Sequence, residues 1–191
     1  AIPIGGMFYE VGPDVMLAAD AFRASQIHDN FIDTPEYLAL ARGALRMMKV
    51  DTIDLLVVGL PVAIFALKKA ALEKLMTGSH DVGNGKTVLV RKALAMAQPN
   101  GALIDYASQH DKVVAMENEH SLVIDPGSRT FDWLVARGMK LSYKRSHSVN
   151  RGVSDILQVI ADDISAEIGK PYNQLDTIDL ALRSNKNLTI F

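Results

Sequence analysis

Few positions in this 191-residue chain have the residue types and spacing that chemistry needs. The sequence holds five histidines and no cysteine, which removes thiolate ligands, cysteine nucleophiles and disulfides together. The histidines stand at 28, 80, 110, 120 and 147, and no pair has the i, i+4 spacing that sets two ligands on one helix face, so a histidine metal site is not expected. No serine occupies a G-x-S-x-G elbow. Gly85-Lys86-Thr87 has the ending of a phosphate-binding P-loop, but the position that needs its first glycine is His80, and the stretch leads into a β-rich run; a hairpin turn is the favoured reading. The informative stretch is LVIDPGSRTFDWLV, residues 122–135. An apolar run delivers Asp125 at its end, a turn with Gly127, Ser128 and Thr130 follows, and a second apolar run leaves it. A hairpin of that composition presents backbone amides and hydroxyls beside a carboxylate. Successive amides in a turn form a concavity for anions, and a neighbouring carboxylate can hold Mg²⁺ through water, because that ion gives up its hydration shell reluctantly. The residue types leave two readings open: a Mg-nucleotide site, or a hairpin with a polar tip.

The elements expected around that turn are those of an α/β protein. Residues 54–60 (DLLVVGL) read as a strand buried on both faces, followed by a Gly/Pro turn and a helix over 63–75. Upstream, residues 7–11 alternate as a short strand, Asp14 caps a helix running to about residue 25, and Thr34-Pro35 marks a helix start with Tyr37, Leu38, Ala41, Leu45 and Met48 on its apolar face. Downstream, strands are expected over 86–90, 121–124 (buried), 130–136, 139–143 and 188–191, and helices over 101–109, 152–168 and 176–184. The helix over 152–168 carries Val153, Ile156, Leu157, Ile160 and Ile164 on one face. Hydrophobic residues at 49%, charged residues at 22% and a net charge of −2 fit a globular chain with no electrostatic footprint for nucleic acid. No apolar run approaches the roughly 20 residues that cross a bilayer. The N-terminal residues lack a signal-peptide pattern and an initiator Met, so a processed or truncated chain is expected.

The stretch VIDPGSRTFDW (123–133) resembles the second phosphate loop of the actin/Hsp70/sugar-kinase ATPase superfamily: an acidic strand end, a Gly-Thr turn, then Asp. Two further stretches match in the expected order, and a third, upstream, resembles one subgroup. AMAQPNGAL (95–103) resembles the segment with the water-positioning Gln or Glu, NRGVSDI (150–156) the Gly that opens a long helix, and DLLVVGLPV (54–62) the strand and turn of plasmid-segregation actins of the ParM/StbA type. Together they span about residues 50–165. Two family motifs have no counterpart here, an N-terminal phosphate loop with Asp, Gly and Lys and a Gly-rich adenosine segment, and Pro126 and Arg129 stand where the hairpin is usually Gly. The resemblance implies an actin-like (ribonuclease H-like) α/β fold of two domains with mixed sheets flanked by helices, each present in part, over 1–110 and 111–191.

By the same resemblance, Asp125 holds Mg²⁺ through water, Gly127, Ser128, Arg129 and Thr130 contact the phosphates of ATP, and Gln98 orients the attacking water. Asp132 sits at the cleft between domains, and Gly152 lets backbone approach the nucleotide. The plainer readings stay open: Gln98 as a loop residue, Gly152 as a helix N-cap, Asp132 as a strand-end charge, Arg129 as a solvated cation, Trp133 as core. The implied function is a cytoplasmic ATPase that assembles with itself head to tail into filaments and segregates or positions plasmid DNA through a DNA-binding adaptor, without direct nucleic-acid or membrane contact. A small-molecule kinase of the same superfamily and a non-catalytic partner-binding member are the alternatives.

Overall fold

Pro35 opens a helix because its missing N–H is one that a helix leaves unbonded anyway, and Thr34 caps it, with Oγ1 accepting from the Tyr37 amide at 3.2 Å. The computed structural model describes residues 1–12, 15, 30–138 and 140–190. The helix expected over 14–25 lies outside the described residues apart from Val15. The chain forms two compact units, one of Ala1–Leu60 and Ile64–Gln98, the other of Pro61–Ala63 and Pro99–Phe191.

The first unit holds β1 (Ile2–Ile4), β2 (Met7–Tyr9), a 3-10 turn (Phe31–Asp33), α1 (Pro35–Met47), β3 (Thr52–Ile53), β4 (Leu56–Leu60), most of α2 (Val62–Met76), β5 (Gly78–Gly83), β6 (Lys86–Val90) and β7 (Ala93–Ala97). β1 and β2 pair antiparallel; β6 lies between β3 (parallel) and β5 (antiparallel); β4 and β7 pair in parallel, with Leu60 opposite Ala97. Asn84 and Gly85, both at positive φ (57° and 68°), make the β5–β6 turn, so the P-loop-like residues belong to a hairpin. Leu45, Leu72, Met76, Val82 and Val90 are fully buried. The buried stripe of α1 runs through Ala39 and Gly43, where a Cβ on Gly43 would lie 2.5 Å from Val11 Cγ1, and Met48 is exposed. Close approach selects the small residues there; of the face expected from sequence, Leu45 is buried, Tyr37, Leu38 and Ala41 are half-buried, and Met48 is left out. β4 is likewise not buried on both faces: its residues alternate, with Val57 53% exposed and Leu60 buried, as suits a two-stranded sheet with one covered face.

The second unit holds α3 (Gln98–Gln109) from Pro99 onward, a 3-10 turn (Ala115–Glu117), β8 (His120–Pro126), β9 (Phe131–Arg137), β10 (Lys140–Leu141), β11 (His147–Val149), α4 (Val153–Ile168) and α5 (Leu175–Ser184). α3 starts three residues earlier than expected because Pro99 fits a first helical turn. β9 is central, with β8 on one edge and β10 and β11 in succession on the other. Asp132, Leu134 and Ala136 on β9 are buried, whereas β8, expected to be buried, leaves Leu122 and Ile124 exposed. α4 packs on α5 through Leu157, Ala161, Tyr172 and Ile178, with Val153, Ile160 and Ile164 alongside. Ile156 lies off that stripe and is exposed. Gly169, at φ 68°, ends α4 in the left-handed conformation that glycine adopts without strain. Residues 188–190 form no strand; Leu188 packs as coil on the α4–α5 cluster. No helix among the described residues is long and apolar enough to cross a membrane.

Candidate functional site

The turn between β8 and β9 is held from both sides. Within it, the Gly127 amide donates to Thr130 O at 2.8 Å and to Asp125 O at 3.1 Å. A Cβ on Gly127 would lie 3.0 Å from Thr130 O, a tight contact that the neighbouring backbone could relieve only by shifting a few tenths of an ångström. From outside, the start of α4 grips it: the Val153 amide donates to Gly127 O at 3.0 Å and the Ser154 amide to Ser128 O at 2.8 Å. The hydroxyls of Ser128 and Ser154 share a further hydrogen bond at 2.8 Å. The first amides of α4, which no helix can satisfy internally, therefore find acceptors in the turn. Gly152 makes this approach possible, since a Cβ there would lie 2.4 Å from Ser128 O. Its φ of −144° suits any residue, so the demand is for space. Asp155 Oδ2 accepts from the Gly152 amide at 2.8 Å and finishes the cap.

This grip orients the turn. A trans peptide is planar, with N–H and C=O pointing in opposite directions, and the chain contains no cis peptide among the described residues. Gly127 O and Ser128 O point at α4, so the Ser128 and Arg129 amides point away from it, side by side. Neither amide donates to an acceptor among the described residues. Two adjacent outward amides form the kind of concavity that binds anions.

Ser128 and Arg129 are exposed, and Gly127, Thr130 and Asp125 are half-buried. The Asp125 carboxylate has no hydrogen-bond or ion-pair partner among the described residues, and no group of three metal-ligating side chains occurs among them. That donor set fits a cation held by one carboxylate through water. Asp132 is only 1% exposed: Oδ1 accepts from the Val62 amide at 3.0 Å and Oδ2 from the Thr130 hydroxyl at 2.6 Å. Trp133, read as core, is half-buried and donates through Nε1 to Arg145 O at 3.1 Å.

Gln98 belongs to the first unit, at the C-terminal end of β7 and the start of α3, and is exposed. Its side chain lies across Gly59 on β4, where a Cβ would sit 2.9 Å from Gln98 Cγ. The second unit thus brings Asp125, Gly127, Ser128, Arg129, Thr130, Asp132 and Gly152 around one turn, while Gln98 stands in the first. Gly152 meets the backbone of Ser128 and Arg129. Val62, Ser154 and Asp155 were not singled out by sequence. Only Asp155 carried a signal, three residues after a glycine at a helix start.

The family described as "Actin like proteins N terminal domain" matches residues 1–101. The chain belongs to the actin-like protein family. A second family, "Archaeal actin homologue MreB-like, C-terminal", matches residues 123–191 of this actin-like chain. No curated protein matches it significantly in sequence. Among solved structures, the actin-like chain is similar to Ta0583, an archaeal actin homologue, at 22% identity and a TM-score of 0.66, covering 84% of this chain and 51% of that one. The complex of Ta0583 with ADP matches at 21% identity and 0.64, over 84% and 52%. The apo ParM protein of pSK41 matches at 24% identity and 0.60, over 81% and 51%. A quadruple mutant of pCBH ParM, described as non-polymerisable, matches at 18% identity and 0.58, over 85% and 53%. At these identities the likeness is one of fold: an actin-like fold of mixed sheets and helices. The chain spans about half the length of the solved structures it matches.

Proposed function

We propose that the β8–β9 turn holds the terminal phosphates of ATP, in an actin-like ATPase that polymerises into filaments in the cytoplasm and segregates or positions plasmid DNA through a DNA-binding adaptor. The observation that carries this reading is the pair of Ser128 and Arg129 amides, turned outward by the grip of α4 on the carbonyls of the same turn. Each suits a phosphate oxygen. The Arg129 guanidinium adds a positive charge at the same tip, where charge-assisted bonds to phosphate are strong. Gly127 contributes shape, its own amide being engaged within the turn.

Asp125 holds hydrated Mg²⁺ in this reading, and that ion supplies neutralisation of phosphate charge when bound. Gln98 orients the attacking water: a neutral amide accepts and donates at once, and phosphoryl transfer asks mainly for positioning. An amide is a weak base, so turnover is slow, as suits a timer on an assembly. The Ta0583 complex with ADP supports a nucleotide ligand. Sedimentation of the protein with and without Mg-ATP, alongside phosphate release, tests the reading. Pelleting that depends on ATP and is followed by phosphate release is the expected result. The absence of both pelleting and turnover with ATP would overturn it, and phosphate transfer to a sugar or acid would move the protein to the kinases.

A further inference from the structure

We propose that Asp132 is a positioning residue: it fastens the start of α2 to the phosphate-holding turn and touches no ligand itself. The proposal deepens the nucleotide reading and rests on it for its binding arm alone. At 1% exposure, the carboxylate can be reached by a ligand only if protein is displaced. Both its oxygens are already used. Oδ1 takes the Val62 amide at 3.0 Å, and Val62 is the first residue of α2, whose N–H no helix can bond internally. Pro61, just before it, has no N–H to offer. Asp132 is therefore the N-terminal cap of a helix that begins 70 residues earlier in the chain, with a negative group where the helix dipole favours one. Oδ2 takes the Thr130 hydroxyl at 2.6 Å. Thr130 has a single hydroxyl proton and commits it here, while its carbonyl accepts the Gly127 amide that closes the turn. One buried side chain thus holds both the first amide of α2 and the closing residue of the turn.

Strand register divides the work between two carboxylates. Asp125 and Asp132 stand directly opposite each other on β8 and β9, on one face of the pair. Like charges so placed repel. Asp132 faces two donors and Asp125 none among the described residues, so Asp125 is the carboxylate left for a ligand and Asp132 the one spent on structure.

The test compares Asp132→Asn with Asp132→Ala in the whole chain, by hydrogen exchange at the Val62 amide and by affinity for Mg-ADP. Asparagine removes the charge but keeps both links, its carbonyl accepting from Val62 and its amide donating to Thr130 Oγ1. We expect alanine to speed exchange at Val62 and to weaken Mg-ADP, each about tenfold or more, as loss of a buried hydrogen-bond partner does. Asparagine should remain within about threefold of the unaltered chain on both counts. Unchanged Val62 exchange in the alanine variant overturns the proposal. So does an asparagine variant that loses Mg-ADP affinity beyond about tenfold while Val62 stays protected, because the charge would then be meeting the ligand. If alanine prevents folding, the asparagine variant decides alone by the same two readouts. An unaltered chain that binds no Mg-ADP overturns the nucleotide reading, and Val62 exchange then judges the fastening by itself.

Discussion

At Gly152 two backbones come close enough that no side chain fits between them. A Cβ there would lie 2.4 Å from Ser128 O and 2.7 Å from Arg129 C, and backbone atoms cannot swing aside as the end of a long side chain can. Gly152→Ala should therefore destabilise the protein by about 1–3 kcal/mol, a cost of overpacking, read as a lower urea midpoint at unchanged slope. It should weaken Mg-ADP as well, because the displaced turn is the one whose amides face outward. At Gln98 the expectation is different. Gln98→Ala removes an exposed side chain from the end of β7 and should lower phosphate release on the order of 100-fold while leaving Mg-ATP affinity nearly unchanged, measured by single-turnover release and by binding titration. The hairpin residues were legible in the sequence because their chemistry is concentrated in one turn between two apolar runs. Gly152 was read as making room for nucleotide, and the atoms nearest it are those of the turn itself. Val62 and Ser154 were illegible, since their partners lie 70 and 26 residues away and no local spacing announces a contact of that range.

At the scale of elements, turn chemistry was readable and burial was not. Thr34-Pro35, Asn84-Gly85 and Gly169 each act through φ, a lost donor or a cap, which are local properties. Which face of an element is covered depends on what packs there. β8 and β9 show the difference: both are apolar runs, yet Leu134 is fully buried and Leu122 is 62% exposed. Leu134→Ala should cost about 2–5 kcal/mol and Leu122→Ala less than about 1 kcal/mol, measured by chemical unfolding. Equal costs would place the core on the wrong strand. α1 gives a pH prediction. Burial pushes the Tyr37 hydroxyl above its ordinary value. The unfolded chain then loses that proton first, so the stabilising contribution is complete below the unfolded tyrosine value and is lost as pH rises through the higher folded one. Tyr37→Phe should make the fall in melting temperature as pH rises above the ordinary tyrosine value, about 10, shallower than in the unaltered protein.

For the whole molecule, the order of the motifs carried more than any one of them. The stretches at 54–62, 95–103 and 123–133 are short, but their shared order along one chain pointed to the actin-like family, and the family match over 1–101 bears that out. The finer placement among plasmid-segregation actins is a different matter. Ta0583 and pSK41 ParM are similar to this chain at 22% and 24% identity with the same kind of fold, and a shared fold hosts more than one function. The nucleotide reading rests on a local feature of this chain: a turn gripped through its carbonyls so that its amides face out. The measurement that meets this claim most directly is a titration of the protein with Mg-ADP followed at individual backbone amides by NMR. The Ser128 and Arg129 amides should shift furthest and saturate together, with the β5–β6 turn at Asn84 and Gly85 unmoved. Saturable binding that leaves Ser128 and Arg129 unshifted, or that moves the Gly85-Lys86-Thr87 segment instead, would contradict the account.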